Sequence, residues 1–241
     1  MALRVETLAL ASLSCWLAAG ELRYEVRHDH FPGSGRGTLS ISVDGVRYRE
    51  HGKPAHSRDW SWDDVQQLLV AERTLRLLTY EDSRWRLGRD RSHRYELAGA
   101  GSFEAVWTLL KDRLDQRLVA ALARPEGELW WSMPAKRLRR LGGDHGELLV
   151  TEAGVVFRSR SAEASRTWRW KDLDSVSRTG PFQLIFATYE RALADYGGLK
   201  SFAFQLKRPL GEEDFRRLWL RVNRRHGLQT YLTTMERSTE P

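Results

Sequence analysis

Two segments of this chain spell nearly the same pattern. Arg58-Asp-Trp-Ser-Trp-Asp-Asp-Val-Gln-Gln-Leu68 and Arg166-Thr-Trp-Arg-Trp-Lys-Asp-Leu-Asp-Ser-Val176 both read Trp-x-Trp-x-Asp-aliphatic. An internal repeat constrains the fold more than any local motif, because each copy is one structural unit with its own apolar face to bury. Other blocks recur around it in the same order. Leu39, Ile41, Gly45, Val46 and Tyr48 run beside Leu148, Val150, Gly154, Val155 and Phe157. Thr79-Tyr80 matches Thr188-Tyr189, and Tyr95-Glu96-Leu97 matches Phe204-Gln205-Leu206. Phe103-x-x-Val106-Trp107 aligns with Phe215-x-x-Leu218-Trp219 after a short insertion. The expectation is two tandem domains, 21–120 and 127–230, with a C-terminal tail at 231–241.

Residues 1–20 stand outside the repeat. Leu8 to Gly20 is an apolar run that ends in small residues, too short to span a bilayer as a helix but fitting a secretory signal with Ala18-Ala19-Gly20 at its cleavage site. The expectation is therefore a signal peptide over 1–20 and an exported protein, periplasmic or extracellular; without processing the segment is an N-terminal helix of a cytoplasmic protein. The single cysteine, Cys15, lies within this run. A mature chain would then hold no disulfide, no cysteine zinc site and no cysteine nucleophile.

Charge is spread unevenly over a chain whose net charge is +7. Residues 20–113 carry 16 basic against 15 acidic side chains, whereas 127–225 carry 19 against 12. Any acidic partner is thus expected at the second copy.

The alternation of apolar and polar residues predicts strands at 22–28, 38–43, 46–49, 74–80, 84–87 and 93–97, then at 182–188 and 200–206. Phe31-Pro-Gly-Ser-Gly-Arg-Gly37 reads as a loop, and Asp44-Gly45 as a hairpin turn with Glu152-Ala-Gly154 as its counterpart. Trp60 with Trp62, and Trp168 with Trp170, would share one strand face as core wall, the following Asp64 and Asp172 capping or turning the chain. Each copy ends in an amphipathic helix whose stripes are Phe103, Val106, Trp107, Leu110 and Phe215, Leu218, Trp219, Val222.

These features together resemble the pleckstrin-homology superfold, including its bacterial and GRAM-type relatives. The hairpin Glu147-Leu148-Leu149-Val150 … Gly154-Val155-Val156-Phe157 and the strand opening Trp170-Lys171-Asp172-Leu173 carry the resemblance, with a weaker echo at Thr38-Leu39-Ser40-Ile41. It implies an α+β, mainly β fold: two tandem pleckstrin-like barrels, each a bent antiparallel sheet of about six or seven strands capped by a C-terminal helix. It also implies a ligand site. Domains of this kind that bind phosphorylated headgroups use a basic cluster between their first two strands, and Lys136, Arg137, Arg139 and Arg140 fall there in the second copy. The competing reading of that cluster is a solvated patch in an arginine-rich chain.

Nothing else in the sequence assembles chemistry. His28-x-His30 has metal-ligand spacing on a strand but no third ligand, so solvated strand-end histidines are expected there and no metal site. Gly33-x-Gly35-x-Gly37 joins two strands and lacks the helix that a phosphate-cradling loop needs. No catalytic elbow or paired carboxylate appears, so no catalytic residue, no enzyme and no cofactor is expected. Nucleic acid is not expected either, because the basic residues lack interleaved aromatics. The expected function is a non-catalytic binding or scaffold protein of the cell envelope, recognising a partner protein or an anionic lipid surface through loops. The alternatives are an assembly protein that binds a peptide by strand addition, and an enzyme with a site between the domains.

Overall fold

The computed structural model describes residues 20–30, 33–83, 89–192 and 198–224. The expected signal segment with Cys15, the expected strand at 84–87 and the tail at 231–241 lie outside the described residues. The first half of the chain forms β1 (Leu22–His30), β2 (Gly33–Ile41), β3 (Gly45–Glu50), β4 (Arg58–Ser61), β5 (Val65–Ala71), β6 (Thr74–Asp82), β7 (Asp90–Leu97) and α1 (Glu104–Leu110). The short β8 (Leu118–Ala121) follows. The second half forms β9 (Leu129–Leu138), β10 (Gly143–Thr151), β11 (Gly154–Ser159), β12 (Arg166–Arg169), β13 (Leu173–Arg178), β14 (Gln183–Arg191), β15 (Leu199–Leu206) and α2 (Glu212–Asn223).

Two separate barrels are not what forms. All the described strands belong to one fifteen-stranded sheet in the order β13-β14-β15-β9-β10-β11-β12-β8-β5-β6-β7-β1-β2-β3-β4. The joint is β8, which pairs parallel with β5 (Leu68↔Leu118 to Ala71↔Ala121) and antiparallel with β12 (Thr167↔Ala120). Its source is Leu118-Val-Ala-Ala-Leu122, a continuous apolar run every member of which is buried. A run like that fits a strand covered on both faces. It therefore unites what a reading of the flanking halves divides.

Within the sheet each half keeps the same sequence of neighbours, β5-β6-β7-β1-β2-β3-β4 and β13-β14-β15-β9-β10-β11-β12. Buried apolar side chains form two clusters. One gathers Val26, Leu39, Tyr48, Trp60, Leu77 and Tyr95 under Val106, Trp107 and Leu110 of α1. The other gathers Ala135, Leu148, Phe157, Trp168, Phe186 and Phe204 under Leu218 and Val222 of α2.

Several local expectations change. The glycine-rich stretch expected as a loop is strand from Gly33 onward, because its glycines allow close neighbours: a Cβ on Gly37 would lie 2.2 Å from the Arg49 carbonyl oxygen. The two tryptophans of each motif do not share a strand face. Trp60 and Trp168 stand one residue before the ends of β4 and β12, inside the two cores, after which the chain tightens into a 3-10 turn at Trp62–Asp64 and Trp170–Asp172. The second indole of each pair instead anchors a hairpin: Trp62 Nε1 donates to Val43 O at 2.9 Å, and Trp170 Nε1 to Glu152 O at 2.6 Å. Asp64 and Asp172 cap these turns, accepting from the backbone N–H of Ser61 (2.9 Å) and Arg169 (2.8 Å). Trp219 departs from its expected buried stripe, being 36% exposed while Leu218 and Val222 are buried.

Gly154 was expected to serve a turn, yet it opens β11 and is absent from the glycines with positive φ. Its role is close approach, since an added Cβ would lie 2.0 Å from the Trp168 carbonyl oxygen. Backbone cannot yield there as a flexible side chain would. Gly154→Ala is expected to cost about 2 kcal/mol through forced separation of β11 from β12. A urea midpoint unchanged from the wild type would contradict this.

Candidate functional site

The candidate basic residues lie on and beyond β9, whose register determines which of them face solvent. Strand β9 pairs with β10 through Leu138↔Gly143, leaving Arg139 to Gly142 as the tip of a hairpin. The tip is closed by Arg139 N donating to Gly142 O at 3.2 Å, with Gly142 at φ 75°, a left-handed conformation that suits glycine. Lys136 and Arg137 are thus strand residues on opposite faces, while Arg139 and Arg140 belong to the turn.

Alternation turns Arg137 inward. Its guanidinium sits 5.9 Å from the ring centroids of both Phe157 and Phe202 and donates to Asp144 Oδ2 at 2.6 and 3.0 Å. Burial lowers its pKa from the ordinary guanidinium value, and the hydrogen bond to Asp144 works against that shift. Arg139 reaches the same Asp144 oxygen at 2.6 Å from the solvent side. The four basic residues are therefore not one open cluster. Arg137 is structural, Lys136 is half-buried, and Arg139 and Arg140 are exposed at the tip. Beside them Leu141 is 89% exposed, a position that no residue pattern singles out because its exposure depends on the turn.

The register also identifies the first-half counterpart of Arg137. His28 faces Tyr95 across β1 and β7, as Arg137 faces Phe204 across β9 and β15. His28 is buried, contrary to the expectation of a solvated strand-end pair with His30, whose side chain is outside the described set. Its Nε2 lies 3.3 Å from Nδ1 of His93, and its ring packs on Tyr95 and Tyr48 at centroid distances of 4.8 and 5.1 Å. The His93 ring lies 4.8 Å from that of Trp60, the separation between Phe202 and Trp168 in the other half. One half thus buries histidines where the other buries an arginine and a phenylalanine. Among the described residues no group of three or more His, Cys, Asp or Glu is placed to hold a metal ion.

A second polar region lies at the seam between the halves. Arg169, at the end of β12, extends its guanidinium to the chain that leaves α1. It donates to the carbonyls of Lys111 (2.5 Å), Leu114 (2.9 Å), Asp115 (2.7 Å) and Leu118 (3.2 Å), and holds Asp172 at 2.7 and 2.8 Å. Lys171 adds a bond to Leu114 O at 2.7 Å. Burial pushes the Asp172 carboxyl above the ordinary carboxylate value, against the pull of the Arg169 hydrogen bonds. Beside this arrangement a cavity of about 220 Å³ opens between α1, the β10–β11 hairpin and α2.

Comparison with known proteins adds little to this geometry. No family model matches the chain. No curated protein matches its sequence. Among solved structures it is similar to the one described as "Structure of the Spt16D Pob3N heterodimer", over 79% of this chain and 98% of that one, with 10% sequence identity and a TM-score of 0.30.

Proposed function

We propose that this is a non-catalytic binding protein of the cell envelope that attaches to an anionic surface through the β9–β10 hairpin tip. The observation that carries this reading is the composition of that tip. Leu141, 89% exposed, stands between Arg139-Arg140 and Gly142 on a turn closed by its own backbone hydrogen bond. An apolar side chain at the apex favours a partly apolar phase, and guanidinium groups beside it favour phosphate or carboxylate oxygens. Asp144 orients Arg139 without neutralising Arg140. The basic excess of the second half adds a field of the same sign.

The finer structural reading accompanies this one. Each half orders its strands alike and is followed by a helix, with β1 pairing β7 as β9 pairs β15. This supports reading them as diverged copies related to pleckstrin-like domains, fused into one sheet. Only the second copy carries the basic hairpin.

Co-sedimentation with phosphatidylcholine vesicles, with and without about one third phosphatidylserine, tests the proposal. Each basic residue near such a surface is worth about 1 kcal/mol, so Arg139→Glu with Arg140→Glu is expected to weaken binding to the anionic vesicles at least about thirtyfold. Leu141→Ser should weaken it less. Arg137 is left in place because its guanidinium is buried in the core and remains the partner of Asp144 once Arg139 is reversed. Equal binding by the wild type and the double variant removes the proposal.

A further inference from the structure

The cavity at the seam lies away from the hairpin tip, and the repeated Trp-x-Trp motif supplies only part of its wall. Its walls bring together α1 of the first half, the 3-10 turn at Trp170–Asp172 and α2 of the second half. The charges facing it are unbalanced: Lys111, Arg124, Arg169, Lys171 and Arg221 against Asp112 and Glu126. Three of these cations are already engaged. Arg169 is saturated by Asp172 and four carbonyls, Lys111 pairs with Glu126 at 2.5 Å, and Arg124 pairs with Glu104. The other two have no such counter-ion. Lys171 and Arg221 form no salt bridge with any described carboxylate; Lys171 donates to one carbonyl, and Arg221 lies 5.7 Å from the ring centroid of Trp170. Burial first, and then the neighbouring Arg169, hold the Lys171 ammonium below its ordinary pKa against the opposing pull of Asp172, Asp112 and Asp115.

We infer that this cavity is a binding site for a small organic oxyanion, with its phosphate or carboxylate head on Lys171 and Arg221 and a flat apolar body against the lining edges of Trp107 and Trp170. Its size agrees: an apolar cavity of about 150 Å³ holds benzene, and this one is about 220 Å³. The head supplies the negative charge that the seam lacks, through charge-assisted hydrogen bonds. The tryptophans line the cavity with apolar ring edges, since Arg169 lies over Trp107 and Trp130 stacks on Trp170. A ligand there touches both halves at once, so it also tightens the seam, and a ligand that binds only the folded state raises the melting temperature. The site is independent of the hairpin tip, and the residue pattern alone does not announce it, since its walls come from five separate stretches of chain.

Calorimetric titration of the full chain at low salt tests the inference, with phenyl phosphate, inorganic phosphate and phenol as probes. Phenyl phosphate is expected to bind saturably and at least about tenfold more tightly than either of the others. Arg221→Gln, on the exposed side of α2, should weaken it about tenfold or more without changing the melting temperature of the free protein. Ala153→Phe, at the exposed turn between β10 and β11, should abolish binding by filling the cavity while leaving every charge in place. Absence of saturable binding by phenyl phosphate overturns the site. Unchanged affinity in Arg221→Gln overturns the assigned head contacts, and inorganic phosphate binding as tightly as phenyl phosphate overturns the flat-body contact.

Discussion

Replacing Arg169 by Met is expected to cost about 4 kcal/mol and to lower the melting temperature by roughly 12 °C, the largest loss from any single exchange at the seam. The physical reason is what the guanidinium leaves behind. Four carbonyls beyond α1 lose a charged donor, and the buried Asp172 carboxylate loses its principal partner. Carbonyls at a helix end have no partner within the helix and carry the negative end of its dipole, so a cation from elsewhere in the fold is well placed there. A methionine of similar length fills the space and supplies no donor. Arg169→Lys should recover less than half of the loss, since one ammonium cannot reach the four carbonyls and Asp172 together. Arg169→Met combined with Asp172→Leu should recover more, because the orphaned carboxylate goes too. Chemical denaturation followed by tryptophan fluorescence measures all three. A loss below about 1 kcal/mol in Arg169→Met would show that the seam is held by β8 alone.

Acid is expected to destabilise this protein through His93, and His93→Phe is expected to remove that sensitivity. His93 lies on β7, packed between His28 of β1 and Trp60 of β4. Its pKa is lowered to about 3, first by burial and then by the charges of His28, Arg91 and Arg58. In the unfolded chain the imidazole titrates near its ordinary value of about 6.5, so between these values the unfolded state binds a proton that the folded state refuses. The stabilisation is complete above the unfolded value and is lost as pH falls toward the folded one, at about 1.4 kcal/mol per unit. Between neutrality and about pH 4.5 the wild type should thus lose about 2.7 kcal/mol that His93→Phe retains. Phenylalanine suits the position because Phe202 packs at the same 4.8 Å distance from Trp168 in the second half. Parallel denaturation curves for the two proteins across this range would exclude the buried histidine as the acid-sensitive group.

Much of the architecture was legible in the chain, and the reasons are local. Alternating residues at 22–28, 38–43 and 200–206 mark strands because side chains on a strand alternate between its faces. The helical stripe of Val106, Trp107 and Leu110 is buried as its spacing requires. Of the basic candidates, Arg139 and Arg140 do stand exposed at a turn, while Arg137 does not. Composition treats these arginines alike; strand register separates them, because a shift of one residue exchanges core for solvent.

The amino-acid order by itself determined the recurring strand pattern, the aromatic interiors and the two terminal helices, since each follows from periodicity within a short window. Only the tertiary structure decided that β8 joins the halves into one sheet, that Arg169 holds the seam, that His28 and His93 meet inside a core, and that a cationic cavity opens between α1 and α2. Those features depend on pairs such as Arg169 with Leu114 or His28 with His93, more than fifty positions apart in sequence. Periodicity says which face of an element is apolar, but not which distant element will meet it.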